Sequence, residues 1–151
     1  MAHNGRVDPE VEEARRSPEH WFVFGLAFLV PVALVAMALF FEPDARGHGT
    51  HEQLGLRPCT TMELWDVPCP GCGVTTSVTL AAQGRIWDSI VTQPFGFVCA
   101  VAGLFFFGWA VWATFRGRDL YVSLMSLDLG RWGRILVGVV LVSWVYKIVT
   151  V

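Results

Sequence analysis

The sequence predicts an all-α membrane protein: three transmembrane helices, with a short interfacial helix behind a cysteine turn. Three observations carry this reading: long uncharged apolar runs, charge confined to blocks between them, and paired cysteines in the longest block. Of 151 residues, 54% are apolar and 16% charged, whereas soluble domains are about a quarter charged. Lipid is therefore the expected solvent for much of the chain. The length allows one membrane domain, residues 21–151, behind a cytoplasmic tail at 1–20. Acidic residues beside Arg15 and Arg16 mark that tail as solvated and partly disordered. A net charge of -2 and the lack of any long basic tract exclude nucleic acid as a partner.

The first span, 21–41, is an uncharged run from Trp21 to Phe41. At 1.5 Å rise per residue it reaches roughly 30 Å, the thickness of a hydrocarbon core. Pro31 in its middle is tolerated in a membrane, where neighbouring groups satisfy the freed carbonyl. Ala36-Met37-Ala38 has the form of a signal-cleavage site, but Leu39, Phe40 and Phe41 continue the apolar run. The segment therefore reads as a retained span. The second span, 94–115, runs from Pro94 to Phe115 and carries Gly96, Ala100, Gly103 and Gly108. Such small residues admit a close helix neighbour. Cys99, within it, is expected to pack as a small hydrophobe. The third, Ile135 to Val151, extends back to Gly133, giving 133–151, with Lys147 expected to snorkel to the surface.

Cation placement sets the expected orientation. Arg6, Arg15 and Arg16 precede the first span, and Arg116, Arg118, Arg131 and Arg134 lie between the second and third. The longer first loop, 42–89, has only Arg46, Arg57 and Arg85. The positive-inside rule then puts the N-terminus in the cytoplasm and the first loop on the outer face of the cell membrane. The stretch from Asp119 to Arg134 reads as a loop lying on the cytoplasmic surface.

Three of the four cysteines, Cys59, Cys69 and Cys72, fall in that outer loop. Pro68 and Pro70 exclude a helix before Cys72, and Pro70-Gly71 is a turn dipeptide. Past Gly73, apolar residues recur at Val74, Val78, Ala81 and Ala82. This helical period places an amphipathic interfacial helix over about 74–91, with Gly84 as a stop inside it. Two chemistries fit. A thiol at a helix start has its thiolate stabilised by free amide groups, which makes Cys69 and Cys72 a candidate redox pair with Cys59 as resolving thiol. Alternatively Cys59, Cys69, Cys72, His48 and His51 are weak candidate ligands for a tetrahedral metal. A second cysteine pair, which a zinc ribbon needs, is missing, and histidines in a glycine-rich stretch ordinarily face solvent. On an oxidising face a structural disulfide is the default fate of such thiols, and three thiols allow three bridges. Thr75, Thr76 and Ser77 have no identifiable base beside them, and Asp66 and Glu63 read as solvated.

The motif Pro68-Cys69-Pro70-Gly71-Cys72-Gly73-x-Thr75 resembles the signature of a bacterial membrane-protein family known as a domain of unknown function. That signature is Cys-Pro-x-Cys-Gly-x-Thr-Arg ahead of a short helix, then a polar residue and proline opening a span. Gln93-Pro94 matches the later element, Cys59 fits the cysteine that often precedes the motif, and the likeness covers 57–115. Thr76 departs from it, standing where the pattern has arginine. The resemblance implies a membrane protein in which the cysteine turn matters, and it implies no reaction or cofactor. The expectation is a non-enzymatic accessory or assembly protein with lipid, and another membrane protein, as partners. A membrane thiol oxidoreductase or redox sensor is the alternative, and a metal-binding membrane protein the second.

Overall fold

The structure, a computed structural model, describes residues 17–150. Every regular element among them is helical. Three helices, α1 (Pro18–Phe40), α5 (Pro94–Phe115) and α7 (Leu129–Thr150), are long and apolar enough to cross a membrane. Between the first two lie a 3₁₀ turn (Thr50–Leu54) and α2 (Thr60–Trp65), then α3 (Val74–Ala82) and α4 (Ile86–Thr92). A short α6 (Leu120–Met125) follows α5. Arg6, Arg15, Arg16 and most of the expected tail lie outside the described residues.

Helix boundaries follow local chemistry. Helix α1 starts before Trp21 because the Ser17 hydroxyl accepts the His20 amide N–H at 3.2 Å and Pro18 takes the first helical position. Helix α5 begins at Pro94, as expected. Helix α7 begins at Leu129, earlier than Gly133, with the Asp128 carboxylate accepting the Arg131 amide N–H at 3.1 Å. The interfacial region expected over 74–91 is divided into α3 and α4 at Gly84, the stop read from the sequence, whose φ of +78° suits glycine. The 3₁₀ turn, α2 and α6 were not anticipated in the loops.

Packing is built on close approach rather than on bulky apolar contact. Helix α3 packs against α1, α4 and α5, and α1 packs against α5. A Cβ at Gly103 would meet Val30 Cγ1 at 2.8 Å, and one at Gly96 would meet Ser77 Cβ and the Val74 carbonyl at 2.8 Å. These glycines and Ala100 are the small residues that let the helices touch. Gly108, expected among them, faces open space.

The interior is unusually polar. Thr76, Ser77, Thr79, Ser89, Gln93, Ser143 and Lys147 are buried, while Phe105 and Phe115 are 75% and 86% exposed. In water that distribution would be costly; in lipid it is the expected one, since hydrocarbon rewards outward apolar groups and internal hydrogen bonds. The interfacial region follows the same rule. The hydroxyl side of α3 is buried, while Val74, Val78, Ala81 and Ala82 are only half-buried. Cys99 also departs from expectation: it is exposed on α5 instead of packed.

The α5–α6 end of the molecule holds the small apolar cluster Ala27, Ala110, Ala113 and Leu120. Around it the Leu120 amide N–H donates to His20 Nδ1 at 3.1 Å. The Asp119 carboxylate accepts the Ser17 amide and hydroxyl at 3.1 and 2.8 Å. These contacts tie the start of α1 to the start of α6.

Candidate functional site

The cysteine turn is built locally and then clamped from outside. The Cys72 amide N–H donates to the Cys69 carbonyl at 2.9 Å, closing a tight turn over Pro70-Gly71. Gly73 follows with φ +85°, and a Cβ there would lie 2.5 Å from the Gly47 carbonyl oxygen. Only glycine satisfies both conditions, so this position lets the turn pass into α3 against the preceding loop. Trp144 Nε1–H of α7 donates to the Pro68 carbonyl at 2.8 Å, and Gln93 Nε2–H donates to the Pro70 carbonyl at 3.3 Å. Gln93 Oε1 is buried with no hydrogen-bond partner among the described residues.

Lys147 corrects a sequence-based expectation. Instead of snorkelling it is buried, donating to the carbonyls of Gly47 at 3.3 Å and Thr92 at 3.2 Å. Thr92 is the last residue of α4, so its carbonyl belongs to the electronegative end of that helix and suits a cation. Two further bonds come from the same part of α7. Tyr146 hydroxyl donates to the Val91 carbonyl at 2.8 Å, and Ser143 Oγ accepts the Phe95 amide N–H at 3.0 Å. The C-terminal part of α7 therefore sits at the end of the molecule that holds the cysteine turn and the α3–α4 hairpin.

A hydroxyl lattice holds the hairpin helices together. Ser89 Oγ donates to the Ser77 carbonyl at 2.7 Å, and Ser77 Oγ lies 2.9 Å from the Ser89 carbonyl and 2.8 Å from that of Gln93. The Ser77 hydroxyl has one proton to share between those two acceptors. Thr76, where the resemblance leads to arginine, is buried with its hydroxyl 2.8 Å from that of Thr50. Thr75 contributes its carbonyl, which accepts the Thr79 hydroxyl at 2.9 Å.

Cys59, Cys69 and Cys72 are brought together, and all are unbridged. Cys59 Sγ lies 3.0 Å from Thr61 Oγ1 and is hydrogen-bonded to the thiols of both Cys69 and Cys72. Burial alone would raise the Cys59 pKa, but hydrogen bonds from the Thr61 hydroxyl, the Met62 amide and Cys69 outweigh it and lower it to about 6. The other two move oppositely. Burial, then the Cys59 neighbour, pushes Cys69 up, while burial and the charges of Cys59 and Cys69 push Cys72 up to about 11. This reverses the sequence expectation of acidic thiols at Cys69 and Cys72. The start of α3 does not compensate for the desolvation of Cys72, whereas Cys59 gathers the hydrogen-bond donors.

The histidines do other work. His48 Nδ1 sits 3.0 Å from the Arg46 carbonyl and His51 Nε2 3.2 Å from the Arg57 carbonyl. Among the described residues no group of three or more His, Cys, Asp or Glu side chains is arranged to hold a metal ion. Glu63 and Asp66 are exposed. Arg46 pairs with Asp44 at 2.7 Å and Glu52 at 3.2 Å, and Arg85 pairs with Asp88 at 2.7 Å. Sequence reading does not anticipate the hydrogen-bonding roles of Ser77 and Trp144, or the bridging role of Lys147. The signal for the last was present, because a lone cation inside an apolar span usually has a specific partner.

Three long lipid-compatible helices around a polar, hydrogen-bonded hairpin define a multi-pass helical membrane protein. Residues 59–107 match the DUF2752 family, described as a protein of unknown function. The match opens on Cys59 and runs through the cysteine turn, α3, α4 and over half of α5. No curated protein and no solved structure matches the chain.

Proposed function

We propose that this chain is a non-enzymatic accessory or assembly protein of the bacterial cell membrane, with its cysteine turn fixing a hairpin on the outer face. The carrying observation is the uneven attachment of α7. Its C-terminal part binds the hairpin through Ser143, Trp144, Tyr146 and Lys147, while residues 129–138 are exposed throughout. A helix fixed at one end and open along its flank suits a protein that presents that flank to another membrane protein. The orientation, with the N-terminus cytoplasmic, draws support from charge. Arg116, Arg118, Arg131 and Arg134 crowd the end opposite the hairpin, and Arg116 and Arg118 each lie 5.5 Å from the Trp112 ring centroid. In this reading the cysteine turn is structural. Replacing Cys72 with alanine should lower the steady-state amount of the protein and its melting temperature in detergent. Unchanged amount and melting temperature would overturn the structural role.

A further inference from the structure

The three thiols are unequal in access. Cys72 is buried, whereas Cys59 and Cys69 are half-buried. Cys59 lines a polar cavity of about 300 Å³ with Arg46, His48, Glu52, Met62 and Glu63, and it is the one cysteine that does so. Cys69 is within hydrogen-bonding reach of the Cys59 sulfur and does not line the cavity. One thiol thus faces an opening while a second touches it, the arrangement that thiol–disulfide exchange requires.

We infer that Cys59 is the attacking thiol, and Cys69 the resolving thiol, of a stoichiometric exchange with a small disulfide that enters this cavity. This adds a reactivity to the structural role above and does not depend on it. In the first step the Cys59 thiolate, having given its proton to solvent, attacks one sulfur of the incoming disulfide. A Cys59 mixed disulfide forms, and the other sulfur leaves as a thiolate that takes a proton from solvent. In the second step Cys69 gives up its proton and attacks the Cys59 sulfur. The Cys59–Cys69 disulfide forms, and the remaining half of the small molecule departs as a thiol. The protein loses two electrons and two protons, and the incoming disulfide gains both to become two thiols. Thr61 hydroxyl and the Met62 amide, which hold the Cys59 sulfur before attack, position it. Cys72 is a neighbour that donates its thiol hydrogen to Cys59 and keeps its own sulfur out of the exchange. These roles differ from the Cys69–Cys72 redox pair that the spacing suggests.

The test uses the full chain, reduced and in nanodiscs, with bis(2-hydroxyethyl) disulfide as the probe. Peptide mass mapping after acid quench should find the Cys59–Cys69 bridge as the product, one per chain. Cys69→Ser should accumulate the probe on Cys59 and stop there. Cys59→Ser should slow probe capture by the cluster on the order of tenfold or more, from loss of the most ionised of the three thiols and the one that lines the cavity. Elution volume and helical circular dichroism report whether each variant folds. Should Cys59→Ser fail to fold, limiting probe on the wild-type chain decides, since the first mixed disulfide must map to Cys59. A first adduct on Cys69 or Cys72, a Cys69–Cys72 bridge as product, or an unslowed Cys59→Ser would overturn the assignment.

Discussion

Helices α5 and α7 have the same length, 22 residues, and both are apolar enough for a bilayer, yet the chain holds them in opposite ways. Helix α5 is gripped along its length by small residues: Gly96 against α3, Gly103 against Val30 of α1, and Ala110 and Ala113 in the cluster with Leu120. Helix α7 is held at one end by side chains that donate or accept hydrogen bonds, and its other half touches little. Apolar sequence alone therefore does not decide how a span is packed. Without a hydrophobic drive between helices, close backbone approach and internal hydrogen bonds divide the task.

The largest break in this contrast should come from Lys147→Met. It removes two charge-assisted bonds and strips the carbonyls of half-buried Gly47 and Thr92 of a donor. A loss of about 2–4 kcal/mol is expected, read as a lower melting temperature and faster proteolysis of the 42–93 segment. Gly96→Ala comes next, with a cost of about 1–3 kcal/mol, because the new methyl meets the Val74 carbonyl and Ser77 at 2.8 Å. Gly138→Ala on α7 should change the melting temperature of the isolated chain least, within about 0.5 kcal/mol, since nothing lies within 4 Å of the added carbon. A large Gly138→Ala effect in the isolated chain would show that α7 packs along its length after all.

Thiol chemistry sharpens the same comparison within the hairpin. Cys59 has its folded pKa lowered from 9.0 to about 6, so its thiolate forms as pH rises through that value. Iodoacetamide labelling of Cys59 should climb between about pH 5 and pH 7 and then level off. Cys72, raised to about 11, should stay unlabelled across that window. Because an acid with a lowered folded pKa favours the fold when ionised, the Cys59 contribution to stability is present above pH 9.0 and is lost as pH falls through about 6. Labelling of Cys72 before Cys59 would contradict the geometry of the cluster.

Much of the fold was legible because lipid imposes simple rules. A run of about 20 apolar residues reads as a span without knowledge of its neighbours, and the ends of α5 agree with Pro94 and Phe115. Gly84 as a break and the Pro70-Gly71 turn were legible for the same reason: each is a local backbone preference. What the sequence hid was pairing. The period of α3 marks which residues share a side but not which side faces inward, and in a bilayer the hydroxyl side wins because Ser77 and Thr76 find partners. Lys147 was misread because snorkelling and carbonyl capture look alike until Gly47 and Thr92 are in place. The thiol ranking failed similarly. Helix position predicted acidity at Cys72, but Thr61 and the Met62 amide, which act on Cys59, depend on a helix that the loop gave no periodic signal for.

The central claim is that residues 18–40, 94–115 and 129–150 cross the bilayer, leaving the hairpin and the α5–α7 connection on opposite faces. A cysteine placed at Arg57 or at Ser126 in the otherwise native chain can be labelled with an impermeant maleimide in intact cells, and peptide mapping tells it from the native thiols. The account predicts that Arg57→Cys labels at once and that Ser126→Cys labels only after the membrane is opened. Labelling of both positions from the same side would contradict it.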